Sequence, residues 1–301
     1  MQKNKKLGYE LDQSPFYYLR TKKELARLLF ICEKQLKILA KAENLYLERN
    51  LKSPTGKTRH IEEPKTNLKS IQKRIQDILN RIKLPDYIYA PGTGKSYITN
   101  ASVHLNNYAV KILDITAYFP STQAIRVYYF FYEIMKCSSD VAGILTKLLT
   151  FNNHLPTGSP SSPILSYFSH MKMWDTIFKL VKSADCNLTV YMDDVTISGN
   201  EISGQLIREI KKQFHQAGLH SNRKKEKNYI NKKHYEVTGV IIKNGVGLIL
   251  PNRQHLKIYK TRCVLASLDN TDKNKIKLSM QLQGLESQQR QIEKANNLTS
   301  H

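Results

Sequence analysis

Between residues 21 and 50, Leu25, Leu28, Leu29, Leu36 and Leu39 recur at helical spacing with charges between them. This is the pattern of an amphipathic helical segment that packs by one face. A Ser-Pro-Thr-Gly turn at 53–56 leads into TRHIEEP, whose alternation predicts a strand. Leu68, Ile71, Ile75, Ile78, Leu79 and Ile82 then share one face of a second helix, which Pro85 should stop. After a Gly/Pro loop at 91–94, YAVKILDI reads as a buried strand ending in an acid, and LTVYMDDVTIS as two short strands joined by a tight acidic turn. Helical stretches around 122–136, 140–150 and 162–182 lie between them, and another follows at 203–217. EVTGVIIKNGVGLIL carries the Asn-Gly signal of a hairpin, and the last fifty residues are basic and helical in pattern. Strands and helices mix without regular alternation, which predicts an α+β fold.

Length and charge narrow this picture. A chain of 301 residues with 41% hydrophobic content can bury a sizeable core, as one large domain or two closely packed subdomains. Lys and Arg number 47 against 25 Asp and Glu, a formal charge of +22 that repels itself unless an acidic polymer or surface is the partner. Nucleic acid is the first candidate; a generally basic soluble protein is the alternative. Cys32, Cys137, Cys186 and Cys263 stand far apart without a C-x-x-C pair, so neither a zinc ribbon nor a disulfide framework is indicated. Reduced, mostly buried thiols are expected. The start, MQKNKKLGYELDQSP, lacks a secretory apolar core, and no apolar run reaches the roughly 18 residues of a membrane span. The expectation is a soluble cytoplasmic protein.

The acids carry the chemistry. Asp114 ends an apolar strand, and Asp193 and Asp194 sit adjacent in the turn of a strand pair, an arrangement that can bring three carboxylates to one sheet edge. Such a cluster repels itself without a cation. Magnesium takes hard oxygen ligands, usually one or two carboxylates plus substrate phosphates, and a pair of ions about 3.5–4 Å apart can clamp an in-line phosphoryl displacement. That chemistry would use Asp114 and Asp193 as the main ligands with Asp194 supporting. On spacing alone, a solvated turn or a cap is the competing reading of the Asp-Asp pair.

The flanking residues decide between them. YMDDVTIS resembles the aspartate turn of reverse transcriptases, and ILDITAYFPS at 112–121 resembles their earlier aspartate motif in the expected order. LPTGSPSSPILS at 155–166 is similar to the motif between those two, with Thr157 where many relatives carry Gln. RHIEEPKTNLKSIQ resembles the fingers motif, and AGLHSNRKKEK the later glycine, asparagine and lysine motif. NASVH at 100–104 fits the Asn-Ala-x-x-His pattern of bacterial retron reverse transcriptases, and Val237-Thr238-Gly239 fits their second characteristic motif. Taken alone, His104 reads as a satisfied structural histidine. APGTGKS at 90–96 is not a P-loop, because Tyr89 stands where the first glycine is required.

The resemblance implies a right-hand polymerase: an N-terminal helical extension at 1–50, fingers at 51–110, a palm at 111–250 with a small antiparallel sheet and interleaved fingers elements, and a helical, RNA-binding thumb at 251–301. It implies two magnesium ions on Asp114, Asp193 and Asp194, with Ile115 counted at the same metal and nucleotide site. Arg59, and secondarily Lys57, would contact the triphosphate of a dNTP, as a planar guanidinium suits phosphate oxygens. Gly158 would bring backbone groups near the incoming nucleotide, and Phe119 would exclude a ribose 2′-hydroxyl, a buried core Phe being the alternative. Lys225, or Lys224 in its place, would donate a proton near the leaving pyrophosphate; an RNA-backbone contact is the alternative. The implied partner is a structured non-coding RNA, template and primer at once, copied from the 2′-hydroxyl of an internal guanosine into RNA-linked DNA and leaving an RNA–DNA hybrid. Basic residues 211–233 and the thumb would hold it. Family members serve in antiphage defence with a companion effector protein. A group II intron type of reverse transcriptase and a non-catalytic RNA-binding scaffold are the rival readings.

Overall fold

The alternating TRHIEEP forms the strand it predicts, but its partner comes from a segment that reads as helix. In the computed structural model, which describes residues 8–52, 56, 58–92, 94–269 and 274–299, β1 (Tyr46–Lys52) pairs antiparallel with β2 (Thr58–Pro64). The helical reading of 21–50 therefore holds only for Lys22–Leu28 and Glu33–Lys41, with a break at Phe30, where φ is +57°. Thr21 caps the first of these, its hydroxyl accepting from the Glu24 amide at 3.2 Å. β1 lacks a buried face, so nothing in its own side chains separates it from helix; pairing with β2 decides it. The next helix, Thr66–Leu79, buries Leu68, Ile71, Ile75, Ile78 and Leu79 as its spacing predicts. It ends at Leu79, before Pro85 can act.

Five further strands build the sheet that carries the acids: β3 (Ile88–Ala90), β4 (Ala109–Asp114), β5 (Asn187–Tyr191), β6 (Asp194–Gly199) and β7 (Lys227–Ile230), in the order β3-β5-β6-β4-β7. The antiparallel expectation fails at one edge, where β3 runs parallel to β5. A parallel neighbour requires a long crossover, and the helices between residues 91 and 186 supply it. β7 lies inside the basic run 211–233 and adds the other edge by pairing with β4.

The helices between β4 and β5 cover the sheet. The stretch 122–136 is an α-helical turn, Ala124–Tyr129, that widens into a π-helical segment, Phe130–Ile134, and 162–182 divides at His170 into Ser162–Ser169 and Met171–Ser183. Trp174, Phe130 and Phe168 are buried here, joined by Phe214 from the later helix Gly204–Gln216, with Phe130 stacked on Phe168 at 4.8 Å between ring centroids. A second, smaller core lies under β8 (His234–Val237), β9 (Val240–Lys243) and β10 (Gly247–Ile249), joined by Ile258 and Ile292 from the two C-terminal helices, Asn252–Ser267 and Asn274–Thr299. Of the four free cysteines, Cys137 and Cys186 are buried while Cys32 and Cys263 are exposed, so burial holds for half of them. Among the described residues, no helix is long and apolar enough to cross a membrane.

Candidate active site

The antiparallel register of β4 and β6 sets Asp114 opposite Asp194, and Asp193 occupies the turn that precedes Asp194. Residues facing each other across such a pair have Cβ atoms about 4.5–5.5 Å apart. Met192, at φ +60°, makes the tight turn between β5 and β6 and donates its amide to the Ala90 carbonyl at 3.3 Å. A non-glycine residue held in this region is uncommon, and such strain tends to collect at functional sites. The Ile115 amide donates to the Asp193 carbonyl at 2.8 Å, which ties the turn to the end of β4.

Beyond β4 the chain is held by a segment more than a hundred residues away. Thr116 donates its amide to the His220 carbonyl, and Asn222 donates to the Asp114 carbonyl, each at 2.8 Å. This pairing carries Lys225 under Asp114, whose Oδ2 accepts from Lys225 Nζ at 2.6 Å. Lys224 lines the same cleft without reaching Asp114, so Lys225 is the lysine placed on the acids.

Burial and neighbouring charge act together on these carboxyls. Desolvation raises the Asp194 pKa to about 6, with further upward pushes from Asp193 and Asp114. Asp193 is also raised, first by burial and then by Asp114, while Lys225 and Arg59 pull it back. The Lys225 ammonium is held charged by its hydrogen bond to Asp114. The three acids therefore share one electrostatic site that is short of positive charge, with Lys225 resting on Asp114.

A cleft of about 480 Å³ opens beside them, lined by Asp114, Tyr191 and Asp194 together with Glu236, Thr238 and Gly239. Among the described residues, no three His, Cys, Asp or Glu side chains converge into a closed metal cage. The donor set nonetheless fits magnesium, which binds hard oxygens, needs only one or two protein carboxylates and fills its other positions with water and phosphate. Burial, and after it the neighbouring charges of Asp193 and Asp114, raises Asp194 and points the same way.

The other candidates fall around this centre. Phe119 is half-buried and stacks on Tyr118 at 6.2 Å; Tyr118 is fixed by a hydrogen bond to the Ser166 carbonyl at 2.9 Å. Arg59 is exposed on β2, outside the cleft lining, yet its charge reaches Asp193. Lys57 lies outside the described residues. Gly158 packs on β2: its amide donates to the Glu62 carbonyl at 3.1 Å, and a Cβ there would stand 2.6 Å from that oxygen. Only glycine permits so close an approach.

Sequence reading missed what holds β2 in place. Glu62 is buried, accepts from His154 at 2.9 Å and from the Thr157 amide at 3.3 Å, while the Thr157 hydroxyl accepts from the Glu62 amide at 3.1 Å. Thr157 is thus a fastening between the β1–β2 hairpin and the loop before Ser162. The one available signal is the acid inside the alternating strand.

The two characteristic motifs behave differently from a pair of surface signatures. His104 is fully buried between Ser198 Oγ and Thr189 Oγ1, each 2.7 Å from a ring nitrogen, and burial pushes its pKa down to about 3. The structural reading of that histidine is correct. Asn100 Nδ2 donates to Thr238 Oγ1 at 3.3 Å, so the Asn-Ala-x-x-His segment touches the Val-Thr-Gly turn directly.

Comparison with known proteins adds one decisive match: residues 49–242 fit the family model for reverse transcriptase (RNA-dependent DNA polymerase). The chain belongs to the reverse transcriptase family. The matched span encloses the three aspartates, Lys225, Arg59, Phe119 and Gly158. Three curated relatives are all retron reverse transcriptases, in keeping with the resemblance read from the motifs. The Se72 enzyme of Salmonella heidelberg (strain 579083-10) is 32% identical over 249 residues, covering 77% of this chain and 65% of that protein. The Ec86 enzyme of Escherichia coli is 28% identical over 152 residues, 50% of this chain and 47% of that protein. The Mx65 enzyme of Myxococcus xanthus is 27% identical over 225 residues, 67% and 52% respectively. The matches thus span between about half and two thirds of the length of these relatives.

Proposed function

We propose that this reverse transcriptase is a retron enzyme, copying part of a cognate structured non-coding RNA into DNA that begins on the 2′-hydroxyl of an internal guanosine and stays joined to the RNA. The reading is carried by the carboxylate site: Asp114 opposite Asp194, Asp193 in the turn, and Lys225 on Asp114 at 2.6 Å. The similarity to three retron enzymes supports the choice of substrate.

In this reading β1–β2 and the helices up to residue 110 are fingers, the five-stranded sheet is the palm, and the two C-terminal helices are the thumb. Asp114, Asp193 and Asp194, with Ile115 beside them, would hold two magnesium ions. When bound, these supply Lewis-acid activation of the attacking hydroxyl and charge neutralisation at the triphosphate. The chain's own groups do the rest. Arg59, and secondarily Lys57, binds triphosphate oxygens through charge-assisted hydrogen bonds. Phe119 stands under the sugar and leaves no room for a 2′-hydroxyl on the incoming nucleotide. Lys225 Nζ, charged while it rests on Asp114, moves to the leaving pyrophosphate and gives up its proton there. Residues 211–233 and the C-terminal helices hold the RNA by phosphate contact and shape, the mode that an A-form duplex permits. The wider setting in this reading is antiphage defence beside a companion effector protein in the cytoplasm.

The test is expression with the flanking genomic RNA, wild type beside Asp193→Asn/Asp194→Asn, followed by isolation of short DNA joined to RNA. A branched product from wild type alone is the expected result. Linear DNA on added primers with no branched product would leave a generic or group II intron type of enzyme. No DNA from either chain would replace catalysis with an RNA-binding scaffold.

A further inference from the structure

The Asn-Ala-x-x-His and Val-Thr-Gly segments have no task in the chemistry above, yet hydrogen bonds tie the first of them both to the catalytic hairpin and to the second. His104 uses both ring nitrogens on the catalytic hairpin, one on Thr189 of β5 and one on Ser198 of β6. Its own carbonyl accepts from the Tyr235 hydroxyl of β8 at 2.6 Å. One helical turn earlier, Asn100 donates to Thr238 Oγ1, and the Thr238 hydroxyl donates to the Tyr97 carbonyl at 2.9 Å. The short helix Tyr97–Ser102, with His104 just past it, therefore touches the hairpin bearing the aspartates and the three-stranded sheet at once.

Two features mark this as more than packing. Thr238 sits at φ +45°, an outlier for a β-branched residue, and such a conformation persists only where its surroundings over-determine it. Asn100 is fully buried with Oδ1 unpartnered, a cost the fold accepts while keeping the Nδ2 contact to Thr238. The residues so held, Thr238 and Gly239, line the same cleft as Asp114, Tyr191 and Asp194.

We propose that Asn100, His104 and Thr238 are positioning residues, a buried latch that fixes the β8–β9 turn against the catalytic hairpin and thereby sets the width of the cleft in which the reacting strand lies. The proposal rests on the polymerase reading of the site. It acts through geometry alone, since a displacement near 1 Å at a reacting centre can cost about a hundredfold in rate.

His104→Ala would empty a fully buried position, so the test uses the cleft-side member. Thr238→Val keeps the branched shape and removes both hydrogen bonds; Thr238→Ser keeps them. Primer extension should show kcat reduced about tenfold in Thr238→Val with the KM for dNTP within about twofold, and near-complete recovery in Thr238→Ser. If the residues act as one unit, Asn100→Ala combined with Thr238→Val loses no more than the worse single change, whereas independent roles multiply the losses. Wild-type kcat in Thr238→Val, absence of recovery in Thr238→Ser, or multiplied losses would each overturn the latch. Should wild type itself fail to extend a primer, the polymerase reading falls first, and amide hydrogen exchange still judges the contact. Exchange at 191–194 should quicken in Thr238→Val and return in Thr238→Ser; unchanged exchange would refute the latch.

Discussion

The two ends of the β5–β6 hairpin are built on opposite principles. At the turn, Asp193 and Asp194 face Asp114, and burial with mutual repulsion raises both turn acids despite the offsetting charges of Lys225, Arg59 and Lys227. Four residues along each strand from the acids, at Thr189 and Ser198, a neutral histidine bridges the two strands and both of its nitrogens are satisfied. One end is left short of positive charge and open to a cleft; the other is dry and complete. A satisfied polar network rigidifies, and an unsatisfied one waits for a ligand. The hairpin can present a self-repelling site because its other half is fastened.

The comparison breaks most visibly at the turn. Asp193→Asn should lower primer-extension kcat by about a thousandfold or more, since it removes a proposed metal ligand, while the melting temperature without metal stays level or rises. A large loss of stability instead would mean that the turn is structural. At the closed end the expectation is reversed. His104→Ala leaves two buried hydroxyls unpartnered and an empty volume, and chemical denaturation should register a loss of about 2–4 kcal/mol. A loss below about half a kcal/mol would show that the ring is replaceable by water.

The smallest effects lie in the pH dependence, where the two ends pull against each other. Asp194 is raised from 3.8 to about 6, so the folded chain keeps a proton that the unfolded chain has released, and stability falls as pH rises through that window. His104 is lowered from 6.5 to about 3, so its contribution is full above 6.5 and is lost as pH falls towards 3. His170, buried and likewise lowered to about 3, adds to the second slope. Metal-free Asp194→Asn should therefore lose stability more steeply on acidification, by about 1–2 kcal/mol between pH 7 and 4, and His104→Gln less steeply. Parallel pH–denaturation series would detect this, and equal slopes in both variants would sink the assignment.

Much of this was legible from local pattern. The helix Thr66–Leu79 and the β5–β6 turn follow from periodicity and from one acidic tight turn. The family follows from motifs in order. What escaped is what depends on distant partners. β1 has no buried face and exists because β2 lies beside it. The parallel pairing of β3 with β5, the grip of Glu62 on His154 ninety-two positions away, and the meeting of Asn100 with Thr238 leave no trace in any short window. Lys225 could be named from its motif, but its place on Asp114 follows from backbone pairing of residues 220–222.

The position of β4 carries a consequence for biosynthesis. It lies between β6 and β7, both of which leave the ribosome after it, and Asp114 meets Lys225 across 111 positions. While the chain is being made, the first acid of the site stands on a strand with neither neighbour, and Lys225 arrives only 111 residues later. Pairings of such long range form late. A ribosome that stops early therefore releases a chain without Lys225 and without β7, so a truncated product is born inactive.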